Sequence, residues 1–99
     1  MDILHFHNGQ PFEWDETKAE ENLAKHSISF ETACEVFFDP LARVGNTSGE
    51  DEPREALIGL PHDSFRLLFV VHIERHGKTI RIISARKATS HERRLYEES

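Results

Sequence analysis

Cysteine is almost missing from this 99-residue chain: Cys34 stands alone, so no internal disulfide can brace the fold. No apolar run approaches the roughly 20 residues that a membrane-spanning helix needs. The opening MDILHFHNGQ begins with an acid and shows no basic segment followed by an apolar one. That pattern predicts no secretory signal and a cytoplasmic location. Gly-rich phosphate loops, a nucleophile elbow and a paired-acid signature are also missing, which sets aside the enzyme classes built on them. Internal repeats and low-complexity tracts are absent as well. The length suits one domain, 1–99, whose single core buries roughly two-thirds of the unfolded surface.

Basic charge is in deficit overall, with a formal net charge of −6, yet it is unevenly spread. Residues 1–56 carry thirteen acids against four bases, a net of −9. Residues 75–94 carry seven bases (Arg75, Lys78, Arg81, Arg86, Lys87, Arg93, Arg94) against Glu92 alone, a net of +6. Segregation of this kind creates a local field that steers a polyanion despite the overall sign. A solvated basic hairpin and helix would carry the same charges.

Hydrophobic periodicity supplies the elements. Ile3 to Phe6 and Phe12 to Trp14 alternate weakly around Asn8-Gly9-Gln10-Pro11, as short edge strands do. Asp15 is placed to cap a helix through His26, with Ala19 and Leu23 inward and Lys18, Asn22, Lys25 and His26 on a polar face. Ser29 caps a second helix with an apolar stripe of Phe30, Ala33, Cys34, Phe37 and Phe38, ending at Asp39-Pro40. Gly45 to Pro53 reads as an acidic loop. Arg54 to Leu60, Phe65 to Glu74 and Thr79 to Arg86 read as strands, and Thr89-Ser90-His91-Glu92 as a capping box opening a C-terminal helix. A two-residue turn at His76-Gly77 would set Ile73 opposite Ile80, Val71 opposite Ile82 and Phe69 opposite Ser84, on an apolar face covered by the N-terminal helices. It would also set His72 beside Arg81, and Val70 beside Ile83, on the other face, suggesting a cleft there.

Seven histidines raise the question of a metal, but His5 and His7 have no third or fourth ligand at a recognisable spacing, and no metal or cofactor is expected. What remains is Arg, Lys, His and Tyr, the set able to cleave RNA unaided. A base removes the 2′-hydroxyl proton, guanidinium groups hold the phosphorane, and an acid protonates the leaving 5′-oxygen.

The order of motifs is more specific than these residue types. Phe12-Glu13-Trp14-Asp15, Lys18, Asn22 and Lys25-His26 lead into Ile28-Ser29-Phe30-Glu31, Ala33 and Val36-Phe37-Phe38-Asp39-Pro40. Arg54, Ile58-Gly59, Val70-Val71, the run Arg81 to Thr89, Glu92-Arg93 and Tyr96 complete the pattern. Over residues 12 to 97 the chain resembles the BrnT family of bacterial toxins; Ser27 stands where a glycine is usual. The resemblance implies a RelE-like α+β fold: a small antiparallel sheet, two N-terminal helices on one face, a short C-terminal helix and an RNA cleft on the other face. It implies a metal-independent endoribonuclease of a type II toxin–antitoxin pair, neutralised by a DNA-binding BrnA-like antitoxin in a heterotetramer around an antitoxin dimer.

On this reading the catalytic candidates are Arg86, Arg81, His26, Lys25, Arg54 and His72, and the RNA-binding candidates are Lys87, Arg93 and Tyr96. Each has a structural alternative. Lys25 and His26 end a helix whose dipole favours cations, Arg54 adjoins an acidic loop, and Tyr96 could cover a sheet edge. Asp15 and Asn22 suit caps or turn anchors, and Lys18 a solvated helix position. Two further functions compete: a non-catalytic RNA- or protein-binding domain of the same fold, and a DNA-binding regulator acting alone. The second lacks a recognisable recognition element, and the acidic balance opposes it.

Overall fold

The computed structural model describes residues 1–47 and 54–98. Its strands are β1 (Asp2–His7), β2 (Gln10–Asp15), β3 (Arg43–Gly45), β4 (Glu55–Gly59), β5 (Leu68–Arg75) and β6 (Thr79–Lys87). Its helices are α1 (Glu16–His26), α2 (Phe30–Glu35) and α3 (Ser90–Glu97). The strands form one sheet in the order β1-β2-β6-β5-β4-β3. Of its five strand pairings four are antiparallel; β2 and β6 run parallel through Phe12–Ile80 and Glu13–Arg81. The sheet is therefore larger than the small antiparallel one expected, and mixed. The parallel join arises because α1 carries the chain away from β2, leaving that edge to be met by β6.

Local signals act as their chemistry requires. Asp15 caps α1 by accepting from the Lys18 N–H at 3.0 Å, and Ser29 caps α2 by accepting from Thr32. α2 is short: after Glu35 the chain tightens into a 3-10 turn over Val36–Phe38 before Asp39-Pro40. Thr89 and Glu92 form the expected capping box. Ser27 takes the left-handed conformation with φ 58°, the position that glycine fills at least cost.

The core lies between the sheet and α1 and α2. Phe12, Trp14, Ile28, Phe30, Ala33, Cys34, Val36, Leu68, Val70, Ile82 and Ala85 pack there. On the opposite face α3 covers a second cluster of Ala56, Ile58, Leu67, Phe69 and Ala88, joined by Leu95 and Tyr96. Burial pushes the Cys34 thiol up to about 12, so it serves as an inert core group. On α1 the inward position is Asn22, which is buried, while Leu23 sits half-exposed at the rim. Phe38 is likewise 41% exposed rather than part of the core stripe.

The central hairpin corrects the expected register. His76 and Gly77 do take positive φ, and Lys78 N–H donates to the Arg75 carbonyl at 3.2 Å, but the loop has three residues, His76 to Lys78, rather than two. The ladder pairs Arg75 with Thr79, Ile73 with Arg81 and His72 with Ile82, then shifts between Val71 and His72 so that Val71 meets Ser84 and Phe69 meets Arg86. Such a bulge re-aims side chains. Leu68, Val70, Ile82 and Ala85 therefore face the N-terminal helices, in place of Phe69, Val71 and Ile73. His72 and Arg81 are not neighbours. They lie on opposite faces. Of the acidic loop predicted over Gly45–Pro53, Gly45 belongs to β3, and residues 48–53 lie outside the described residues.

Candidate functional site

The basic candidates fall into separate groups, because β6 is long. Arg81 and Arg86 are five residues apart on it, roughly 16 Å at about 3.3 Å per residue, too far to grip one phosphate. Arg81 lies on the face away from α1. Its guanidinium donates to Glu13 at 2.8 Å and to Asp2 at 3.1 and 3.2 Å. These carboxylates hold its pKa above the usual arginine range, the hydrogen bond it donates to Asp2 being the leading cause. Arg81 thereby pins β1 and β2 to β6.

His72 is buried beneath the other face, its ring edge-on to Phe37 with centroids 4.7 Å apart. Its Nε2 stands 3.6 Å from Glu55, and a cleft of about 540 Å³ opens beside it between Gln10, Val44 and Lys78. Burial drives its pKa below the ordinary imidazole value, against the pull of the Val70 carbonyl and Glu55. Arg54 precedes β4 with its side chain exposed.

At the opposite end of the sheet, charges of one sign meet. α1 ends at Lys25 and His26, and Arg66, just before β5, donates to the His26 carbonyl at 3.2 Å. Asn22, one helical turn before His26, locks α1 to β6: it donates to the Ala85 carbonyl at 2.9 Å and accepts from the Ala85 N–H at 3.1 Å. Lys87 pairs with Leu68, so it shares the helix-facing side of the sheet. A shallow groove of about 290 Å³, lined by Leu23, Ser27, Arg66 and Leu68 among others, opens there. Lys25, Arg66 and Lys87 are exposed.

Arg86, one residue earlier on β6, points to the other side. Its guanidinium forms a two-pronged pair with Glu92 at 2.8 and 2.9 Å and lies 4.1 Å over the Phe69 ring centroid. The pair raises Arg86 and lowers Glu92 from their ordinary pKa values. α3 holds Arg93, 3.9 Å from Glu97, and Tyr96, whose hydroxyl donates to Asp39 at 2.8 Å. Burial and Asp39 together push the Tyr96 phenol up to about 12. Among the described residues no group of three or more His, Cys, Asp or Glu is arranged to hold a metal ion, and no helix is long and apolar enough to cross a membrane.

Residues 14–92 match the family model for "Ribonuclease toxin, BrnT, of type II toxin-antitoxin system". The chain belongs to the BrnT family. The crystal structure of the Brucella abortus ribonuclease toxin BrnT is similar, at 28% identity and a TM-score of 0.61, over 78% of this chain and 94% of that one. No curated protein sequence matches. BrnT proteins are ribonuclease toxins of type II toxin–antitoxin systems, so the family carries with it a protein antitoxin as partner.

Set in the BrnT frame, nine site candidates read from sequence divide between the two ends of the sheet and its two faces. Lys25, His26 and Lys87 lie on the helix side toward one end of the sheet, with Arg86 on the reverse face and Arg93 and Tyr96 on the adjoining α3. Arg81, His72 and Arg54 lie elsewhere. Arg66 was missed, since it sits in the irregular stretch before β5 and joins no motif. Its one signal was a cation flanking the most apolar strand.

Proposed function

We propose that this chain is a metal-independent endoribonuclease toxin, built on a RelE-type frame, that cuts RNA with the substrate's own 2′-hydroxyl as nucleophile. A BrnA-like antitoxin holds it inactive in a heterotetramer around an antitoxin dimer. The observation that supports this best is the gathering of Lys25, His26, Arg66 and Lys87 at one end of the sheet, with Arg86 on the reverse side of the same strand end. His26 is the group able to exchange a proton there. Arg66 and Lys87 hold the phosphate and bear the phosphorane charge as it develops, while Arg86, on the reverse face, ties α3 to β6 through Glu92 and Phe69. Lys25 and Arg93 draw in the strand, while Tyr96 fixes α3 through Asp39. Arg81 and His72 support the fold, and Arg54 lies away from this end of the sheet.

RNA incubated with the purified chain should yield a 2′,3′-cyclic phosphate or 3′-phosphate and a free 5′-hydroxyl, in EDTA as without it. A 2′-deoxy substitution at the cut site should stop cleavage. Arg66→Ala should lower turnover by about 10²-fold, the scale for losing one transition-state donor. Lys18→Ala, on the exposed side of α1, should leave it unchanged. A 5′-phosphate product, or loss of cleavage in EDTA, would overturn the mechanism. One observation favours the passive-binder reading: both β6 arginines already carry carboxylate partners. Induction in a bacterium separates the two, since only an enzyme arrests growth at low dose.

A further inference from the structure

We infer that the free edge of β1 is the docking strand for an extended segment of the antitoxin in which apolar and basic side chains alternate. The inference rests on the toxin reading above. β1 is the outermost strand of the sheet and runs for six residues. Antiparallel ladders place hydrogen-bonded and non-bonded pairs in alternation. The Met1 carbonyl accepts from the Glu16 N–H at 2.9 Å, and Pro11, which has no N–H, faces Phe6. The ladder to β2 therefore runs through residues 1, 3, 5 and 7. The N–H and C=O groups of Asp2, Leu4 and Phe6 point outward, away from β2. No proline, lysine or bulge within β1 blunts that edge, the devices by which exposed edges are ordinarily protected.

The two faces beside this edge differ, and the difference selects the occupant. On the face away from α1, Leu4 and Phe6 are each 62% exposed, next to one another on alternate positions. A strand laid on β1 would cover both with apolar side chains at its own alternate positions. On the helix-facing side the neighbours are acidic: Glu16, Glu20 and Glu31 share a groove with Ile3, and Glu35 and Asp39 share one with His7. Glu16, Glu20 and Glu31 have no cation partner among the described residues. An added strand thus needs Lys or Arg on that side. The same acids repel RNA and repel a second copy of this chain, whose residues 1–56 carry a net of −9. A protein segment with a basic stripe meets neither objection. Docked on β1, it would leave the β6 end open unless the rest of the antitoxin reaches across to cover it.

The test uses the complex. The tagged chain is expressed with the antitoxin gene of its own operon, and the antitoxin retained at about 0.15 M salt is quantified. Leu4→Pro removes one outward N–H without touching the β2 ladder, and Glu31→Lys reverses one exposed charge. Each should weaken retention about tenfold or more and release growth arrest, while RNA cleavage by the variant alone stays at the wild-type rate. Glu31→Lys, on the protein surface, guards against a folding failure in Leu4→Pro. Antitoxin retained equally by wild type and both variants overturns the inference. A wild-type chain that cleaves RNA yet retains no partner overturns it too, whereas one that does neither overturns the toxin reading beneath it.

Discussion

Replacing Asn22 by alanine should be among the most damaging single changes in this protein. The side chain is 7% exposed, and every polar atom on it is used. Its amide donates to the Ile28 carbonyl at 3.0 Å and to the Ala85 carbonyl at 2.9 Å, while its oxygen accepts from the Ala85 N–H at 3.1 Å. Truncation leaves the Ala85 N–H buried without an acceptor, which costs about 1–3 kcal/mol, and each carbonyl deprived of a donor adds about 0.5–1.5 kcal/mol. A loss of about 3 kcal/mol follows, a large part of the roughly 5–15 kcal/mol that stabilises a domain. For a chain of this size each kcal/mol moves Tm by about 4–8 °C, so the melt should fall by roughly 12–24 °C. Urea unfolding followed by circular dichroism would measure it, with an unchanged m-value confirming the same unfolding transition. A loss under about 1 kcal/mol would mean that the amide does not join α1 to β6 as described.

Two smaller perturbations run in known directions. Ser27→Gly should stabilise the fold by about 0.5–1 kcal/mol, because Ser27 holds φ 58° at a helix end where an L side chain costs about 1–2 kcal/mol and glycine recovers most of it; a lower urea midpoint would refute this. His72 has a folded-state pKa below its ordinary 6.5, with burial the leading cause, so the unfolded chain binds the proton more readily. Its contribution is therefore complete above about pH 6.5 and is lost as pH falls below it. Wild-type stability should decline on acidification through that window, and His72→Phe should flatten the decline; an unchanged slope would place the proton uptake elsewhere.

Elements whose signals are local were legible in the sequence. Asp15, Ser29 and Thr89 mark helix starts by chemistry confined to three or four residues, and each caps as expected. The hairpin turn at His76-Gly77 was equally plain. The register was not: Lys78 adds a third residue to the loop, so Arg75 meets Thr79, and a further shift between Val71 and His72, which answers to packing, brings Val70 and Ala85 under the helices and leaves Phe69 for Arg86. β3 was missed because Arg43-Val44-Gly45 is too short to show a period, and it exists by pairing with β4. Arg81 drew notice as a cation on a core strand, but its partners Asp2 and Glu13 stand 79 and 68 residues away, beyond any local pattern. Polar periodicity put Asn22 on a solvent face, where an amide ordinarily belongs, because periodicity cannot see that a strand offers it both a donor and acceptors.

The parallel join of β2 to β6 has a bearing on when the molecule becomes dangerous. β1 and β2 are adjacent in sequence, but among the described residues the strand beside them in the sheet is β6, and the Arg81 fork that secures them spans nearly the whole chain. Asn22 waits just as long for Ala85, 63 residues later. Contacts of such range close late, after the entropy of a long loop has been overcome. The basic end needs β6 in place beside β5 and α1, so it should be among the last parts to form on folding. In a family of ribonuclease toxins, this topology makes the basic end proposed above as the site depend on the last strand to join the sheet.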